Sequence, residues 1–255
     1  MERLDRFVKV LDFIARHGRQ GVSLAQVGYA IELPKASLYR LINDLEQAEL
    51  IIHDTKTNRY YLGWQVFTWA ALFLNQSNFV ELINDAVAQI TARCQLFAYG
   101  AIFTRGQVIT VATASPRAFY PVYVKLGTSV PLRAAAVSKI FLSMLDPEIA
   151  QRFLQNEELE PGFWSPTPHT LTVDQALGEL AEIRRQGWAA CRNELEMGNS
   201  AVAVPVGPLE KTWVSLAVVA PTEIIANRER EILDTLRDVA QSVEGPLELA
   251  QAIDG

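Results

Sequence analysis

The chain is poor in cysteine, with Cys94 and Cys191 alone in 255 residues. Two isolated cysteines make no disulfide framework and have no metal-type spacing; they point to a reducing cytoplasm. Histidine is scarce too. His17, His53 and His169 stand apart from any cysteine or carboxylate cluster and read as surface residues. The sequence lacks Gly-x-Ser-x-Gly, a phosphate loop, GxGxxG and His-Glu-x-x-His, which excludes the enzyme classes those motifs carry. Cys191 reads as a small buried hydrophobe, and the pair Glu194 and Glu196 as a solvated or ion-paired loop. Catalysis, a cofactor and a metal are therefore not expected. No apolar run approaches the roughly 18 residues of a membrane-spanning helix. The first 14 residues are charged and amphipathic, without the plan of a signal peptide. Repeats and low-complexity tracts are absent.

What is present is a large apolar fraction, 49%, enough for a sizeable core in one or two domains. The net charge of −6 is unevenly spread. Residues 1–75 hold 9 Lys/Arg against 8 Asp/Glu, and residues 76–255 hold 14 against 21. A nearly neutral head sits on an acidic body. Such a head suits specific DNA binding with modest non-specific affinity, because neutralised phosphates supply most of the latter.

Residues 23–45 carry the clearest pattern. Ser23 is an N-cap and Gln26 completes a capping box. Leu24, Val27 and Ile31 recur on one helical face. Glu32 and Leu33 break the pattern, and Pro34 opens a second helix. Leu38, Leu41, Ile42 and Leu45 form its buried face. Lys35, Ser37, Tyr39, Arg40 and Asn43 point outward. Two helices across a short turn make a helix-turn-helix, whose second helix enters the major groove. Arg40 and Lys35 suit phosphates or guanine edges, Ser37 and Asn43 suit bases, and Tyr39 suits a phosphate or a thymine methyl. A plain helical hairpin with a solvated polar face would carry the same pattern.

The flanks favour DNA. Residues 4–17 read as a helix lined by Leu4, Phe7, Val8, Leu11, Ile14 and Ala15. Residues 48–53 and 59–63 read as strands around a polar turn, the wing, with Lys56 and Arg59 at its tip for backbone or minor-groove contact. Residues 64–75, WQVFTWAALFLN, read as an aromatic-rich linker helix that packs on its counterpart in a second subunit.

Beyond residue 78 helices are expected at 80–94, 134–145, 149–154, 174–186 and 229–243. Strands are expected at 99–103, 108–112, 120–126, 188–192, 201–206 and 213–220. Residues 155–173 read as a loop. Helices flanking mostly antiparallel strands make an α+β domain.

Several strings in the right order resemble the IclR family of bacterial transcriptional regulators. In the head these are LPKASLYRLINDLEQAELI and NRYYLG. In the body they are VKLGTSVPLRAAAVSKIFLSML, RRQGWAACRNELEMGNSAVAVPV and WVSLAVVAP, with Glu196, Gly198, Ala203 and Pro205 spaced as in the family signature. The resemblance implies an α+β chain with a winged helix-turn-helix DNA-binding domain at 1–63, a linker helix at 64–78 and a GAF-like effector domain at 79–255. It implies a homodimer, or a tetramer built as a dimer of dimers, on operator DNA. By position, Ser37, Tyr39 and Arg40 fall where the family contacts DNA. Lys35 at the helix start, Asn43, Ser23 and the wing's Lys56 and Arg59 complete the DNA-binding set.

The effector site departs from the family pattern. Ala135 and Ala136 follow Leu132 where polar groups are common. Cys191 stands in place of an Asp, Ala201 in place of a Cys, and Ala217 and Val219 in place of Ser. Met197 and Ala203 lie in the same signature string. Burying an unpaired small acid in such a pocket is costly. With aromatics such as Phe97, Tyr99, Phe103, Phe119, Tyr120, Tyr123, Trp188 and Trp213 in the domain, an apolar or aromatic effector is expected, an aromatic acid or its amide. Phe97, Tyr99 and Tyr123 are the aromatics assigned to the site. The function expected is a ligand-responsive repressor of a catabolic operon. Two readings compete: a sensing module whose winged helix makes protein contacts, and a regulator activated by its ligand.

Overall fold

The computed structural model describes residues 2–104, 106–116, 124–157, 167–207 and 213–254. The chain forms two compact units, Met1–Gln76 and Ser77–Gly255. In the first, α1 (Glu2–His17) is followed by a short 3-10 turn, α2 (Leu24–Ile31) and α3 (Lys35–Gln47). The hairpin β1 (Ile51–Asp54) and β2 (Arg59–Leu62) and the helix α4 (Trp64–Gln76) complete it. Ser23 and Gln26 form the capping box reciprocally, side chain to backbone in both directions. Val10, Ile14, Val27, Leu38, Leu41, Ile42, Leu45 and Ile51 are the buried centre. The expected face of α1 is corrected. Val10 and Ile14 are fully buried, whereas Leu4, Val8 and Ala15 are exposed. Helix α1 is apolar on two sides, so periodicity alone could not choose between them. The wing closes tightly on the end of α3. A Cβ on Gly63 would stand 1.9 Å from the Glu49 carbonyl oxygen, so only glycine fits there.

The second unit is built on one antiparallel sheet. Its elements are α5 (Asn78–Cys94), β3 (Phe97–Thr104), β4 (Gln107–Ala114), β5 (Ser129–Val130), α6 (Ala136–Met144) and α7 (Pro147–Gln155). Then come α8 (Val173–Gln186), β6 (Ala189–Arg192), β7 (Asn199–Pro205), β8 (Val214–Pro221) and α9 (Thr222–Asp254). The sheet order is β5-β4-β3-β8-β7-β6. Strand side chains alternate between faces. Ala98, Val202, Leu216 and Val218 meet α5 and α9 on one side. Tyr99, Ala101, Ala203 and Ala217 face the layer of α6 and α8 on the other. This is an α+β domain with helices on both faces of a curled sheet.

Three expectations are corrected. Of the strand expected at 120–126, residues 120–123 lie outside the described residues and 124–126 are not strand; the short strand is Ser129–Val130. The helix expected at 149–154 starts earlier, at Pro147. The proline opens α7, capped by Asp146, whose carboxylate accepts from Glu148 N–H. Helix α9 runs well past the expected 229–243 at both ends and through Pro246. Leu247 and Ala250 beyond the proline are buried, so packing against the sheet outweighs the proline's missing N–H. Among the described residues no helix is long and apolar enough to cross a membrane.

Candidate nucleic-acid interface and effector site

Helix α3 presents two chemically distinct sides. Leu38, Leu41, Ile42 and Leu45 anchor it in the core. Lys35, Ser37, Tyr39, Arg40 and Asn43 are all exposed. The turn before it places Glu32 in the left-handed region at φ 53°. The second helix follows after the three non-helical residues Glu32, Leu33 and Pro34. Tyr29 on α2 is 90% exposed. Nothing in the local pattern separates it from an ordinary surface tyrosine.

The other DNA candidates are differently placed. Ser23 is committed to its cap: its Oγ accepts from Gln26 N–H at 3.3 Å and lies 3.0 Å from Gln26 Oε1. Lys56 is exposed in the wing turn. Asp54 orders that turn by accepting from Lys56 N–H and Thr57 Oγ1, contacts that hold its carboxyl below the ordinary value. Arg59 does not reach outward as a free tip residue. Its guanidinium donates to the carbonyls of Gln20 and Gly21 at 3.1 and 3.0 Å, tying the wing to the loop before α2. His53 stacks on Tyr60 and bonds Asn58.

In the second unit the sheet register brings the effector candidates together. Cys191 pairs with Ala201, Ala201 with Val219, Ala203 with Ala217, Phe97 with Val219 and Tyr99 with Ala217. Leu132, Ala135 and Ala136 at the start of α6 join the same buried cluster. Tyr123 lies outside the described residues. Met197 is not brought in; it is 57% exposed in the turn before β7. The aromatics divide between layers. Phe97, Tyr99 and Phe103 face this cluster, whereas Trp188 and Trp213 pack against the opposite core, Trp213 stacked on Phe79.

A buried polar group runs beneath this face. Lys139 of α6 is 2% exposed. Its Nζ donates to Glu194 Oε1 and Glu179 Oε2, both at 2.8 Å, and to Ala190 O at 3.0 Å. Glu194 is 6% exposed, so the loop carboxylate is buried and ion-paired. Burial raises its pKa against the opposing pull of Lys139. Burial also pushes the Cys191 thiol to about 11, aided by the Glu194 charge, and raises the Tyr99 phenol. The sequence signal for this group is the lysine inside AVSKIFLSM, a helix that is otherwise nearly apolar. A lysine there needs a buried partner.

Comparison with known proteins decides the class. The model of the bacterial transcriptional regulator IclR C-terminal domain matches residues 72–244, and the IclR helix-turn-helix model matches residues 3–54. The chain belongs to the IclR family. It is 26% identical over 227 residues to the transcriptional regulator RhmR of Escherichia coli, covering 89% of this chain and 85% of RhmR. It is 18% identical over 249 residues to the E. coli repressor AllR, covering 95% and 90%. An IclR regulator from Alicyclobacillus acidocaldarius superposes with a TM-score of 0.82 at 23% identity, covering 97% of this chain and 99% of that one. An IclR homologue from Microbacterium hydrocarbonoxydans, solved with 4-hydroxybenzoate, gives 0.76 at 19% identity, covering 97% and 99%. IclR membership makes the chain a helix-turn-helix transcriptional regulator with repressor homologues, and not an enzyme.

Proposed function

We propose that this IclR-type chain is a cytoplasmic repressor of a catabolic operon, released from its operator by an apolar or aromatic effector. The observation that carries the reading is the exposed row Lys35, Ser37, Tyr39, Arg40 and Asn43 on a helix anchored by four buried aliphatics. In this reading residues 1–63 bind DNA, 64–78 link and dimerise, and 79–255 hold the effector. A dimer sets two copies of α3 in successive major grooves of a pseudo-palindrome. Lys56 meets a phosphate, Ser23 orders the start of α2 beside the DNA-reading helix, and Arg59 supports the wing rather than reading DNA.

The effector lies on the sheet face of Cys191, Ala201, Ala203, Ala217 and Val219, beside Phe97 and Tyr99 and under Leu132, Ala135 and Ala136. The side chains there are small, and Phe97 and Tyr99 of the same cluster offer an apolar wall. The Microbacterium homologue solved with 4-hydroxybenzoate is consistent with an aromatic ligand. Effector binding alters operator affinity through α4, by favouring one of two arrangements of the heads.

Selection from a random duplex library tests the reading. The wild-type chain is expected to enrich an inverted repeat, with half-sites about 34 Å apart or a multiple of that. Arg40→Ala is expected to lose about tenfold or more of the preference at one base position, the worth of a bidentate base contact. Enrichment of no sequence, with binding insensitive to salt, would favour a protein-contact module instead.

A further inference from the structure

Among the described residues Lys139 is the only buried cation. An ammonium carries three N–H donors. Lys139 directs them to Glu179, Glu194 and the Ala190 carbonyl, so none is left for an incoming anion. Arg133, in the turn before α6, is also engaged: its Nε meets Glu157 Oε2 at 3.0 Å.

Glu194 is in the opposite condition. Its Oε1 accepts from Lys139 Nζ at 2.8 Å and from Arg192 N–H at 3.1 Å. Its Oε2 is buried without a partner, and so is the Ser138 hydroxyl of α6. A buried carboxylate oxygen that lacks a donor carries a desolvation cost that a donor would remove. The Glu194 carboxylate is held between α6 and β6, by Lys139 Nζ and by Arg192 N–H, and Cys191 of β6 shares the buried cluster of the small-residue face. The layer offers an acceptor and withholds a cation.

We infer that the site takes molecules presenting an N–H or O–H donor, an amide or a phenol, to Glu194 Oε2, and discriminates against free carboxylates. The inference rests on the effector reading above and specifies the polar end of its ligand. A carboxylate at that point would meet the Glu194 charge with no free buried cation among the described residues to offset it.

A single substitution inverts this chemistry. In Glu194→Gln, Lys139 and Arg192 N–H still donate to the inner position, which keeps the glutamine oxygen there. The amide NH2 then takes the place of Oε2 and presents a donor.

Calorimetry on the full-length chain at neutral pH would titrate five probes: benzamide, phenol, benzoate, isobutyramide and isobutyrate. Benzamide or phenol is expected to bind about tenfold or more tightly than benzoate, the scale of one charge-assisted hydrogen bond. In Glu194→Gln that preference should vanish or reverse. If the variant does not fold, the wild-type comparison decides alone. Benzoate binding as tightly as benzamide would overturn the inference and leave the effector site standing. Isobutyramide binding in preference to isobutyrate, with benzamide silent, would support the donor rule and contradict only the aromatic effector. Binding by none of the five would overturn both.

Discussion

Lys139 sits where an aliphatic side chain would otherwise belong, and its three acceptors make that position tenable. Removing one partner of a buried pair leaves the other charge uncompensated. Lys139→Ala is therefore expected to lower unfolding free energy by about 3–5 kcal/mol, read from urea denaturation. The double change Lys139→Met with Glu194→Leu should recover most of that loss. Cys191 gives a second test at this scale. Its folded pKa, about 11, exceeds the ordinary 9.0. The folded state therefore holds the thiol proton more tightly than the unfolded chain. That contribution is complete below pH 9 and is lost as pH rises through about 11. Urea midpoints measured between those values should fall more steeply for the wild type than for Cys191→Ala. Legibility at this scale followed distance along the chain. The two sides of α3 were readable because the residues that define each side are neighbours on one helix. The Lys139–Glu194 pair was not, because its members lie 55 residues apart and meet only through the packing of α6 on the sheet. Met197 is exposed, which a signature string does not reveal, because it does not say which of its residues turn outward.

At the scale of elements, the wing shows how a plausible residue changes role. The sequence places Lys56 and Arg59 alike at a basic tip. The structure leaves Lys56 exposed and fastens Arg59 to Gln20 and Gly21. The two variants should separate in a salt titration of operator binding. Lys56→Ala is expected to reduce the slope of log affinity against log salt by about one, the signature of one lost phosphate contact. Arg59→Ala should leave the slope nearly unchanged while costing roughly 1 kcal/mol of head stability, the scale of a lost side-chain hydrogen bond. Equal slope changes would return Arg59 to the DNA surface. The helix-turn-helix and the hairpin were legible from caps, periodicity and turn residues. The length of α9 was not. The helix expected at 229–243 ends short of Gly245 and Pro246, and the burial of Leu247 and Ala250 explains why it continues.

For the whole molecule, the unequal charge of the two units and the bare face of α4 matter most. Trp64, Phe67, Trp69, Leu72 and Phe73 are each more than half exposed, an amount of apolar surface that marks an interaction site. Under the proposed function this face packs on a second copy of the chain, which would match a two-fold operator. Sedimentation of the wild type should give a dimer or tetramer. Phe67→Ser with Phe73→Ser should shift it toward monomer and weaken operator binding in parallel. A wild-type monomer at micromolar concentration would contradict the dimer.

The most direct test of the central claim couples the two units in one titration. Fluorescence anisotropy would follow the chain binding to DNA from immediately upstream of its own gene, with and without benzamide, phenol and benzoate. Tight, salt-sensitive binding is expected, which an aromatic donor compound weakens and which Arg40→Ala weakens by about tenfold or more. Operator affinity unmoved by every compound shown by calorimetry to bind the chain would contradict it.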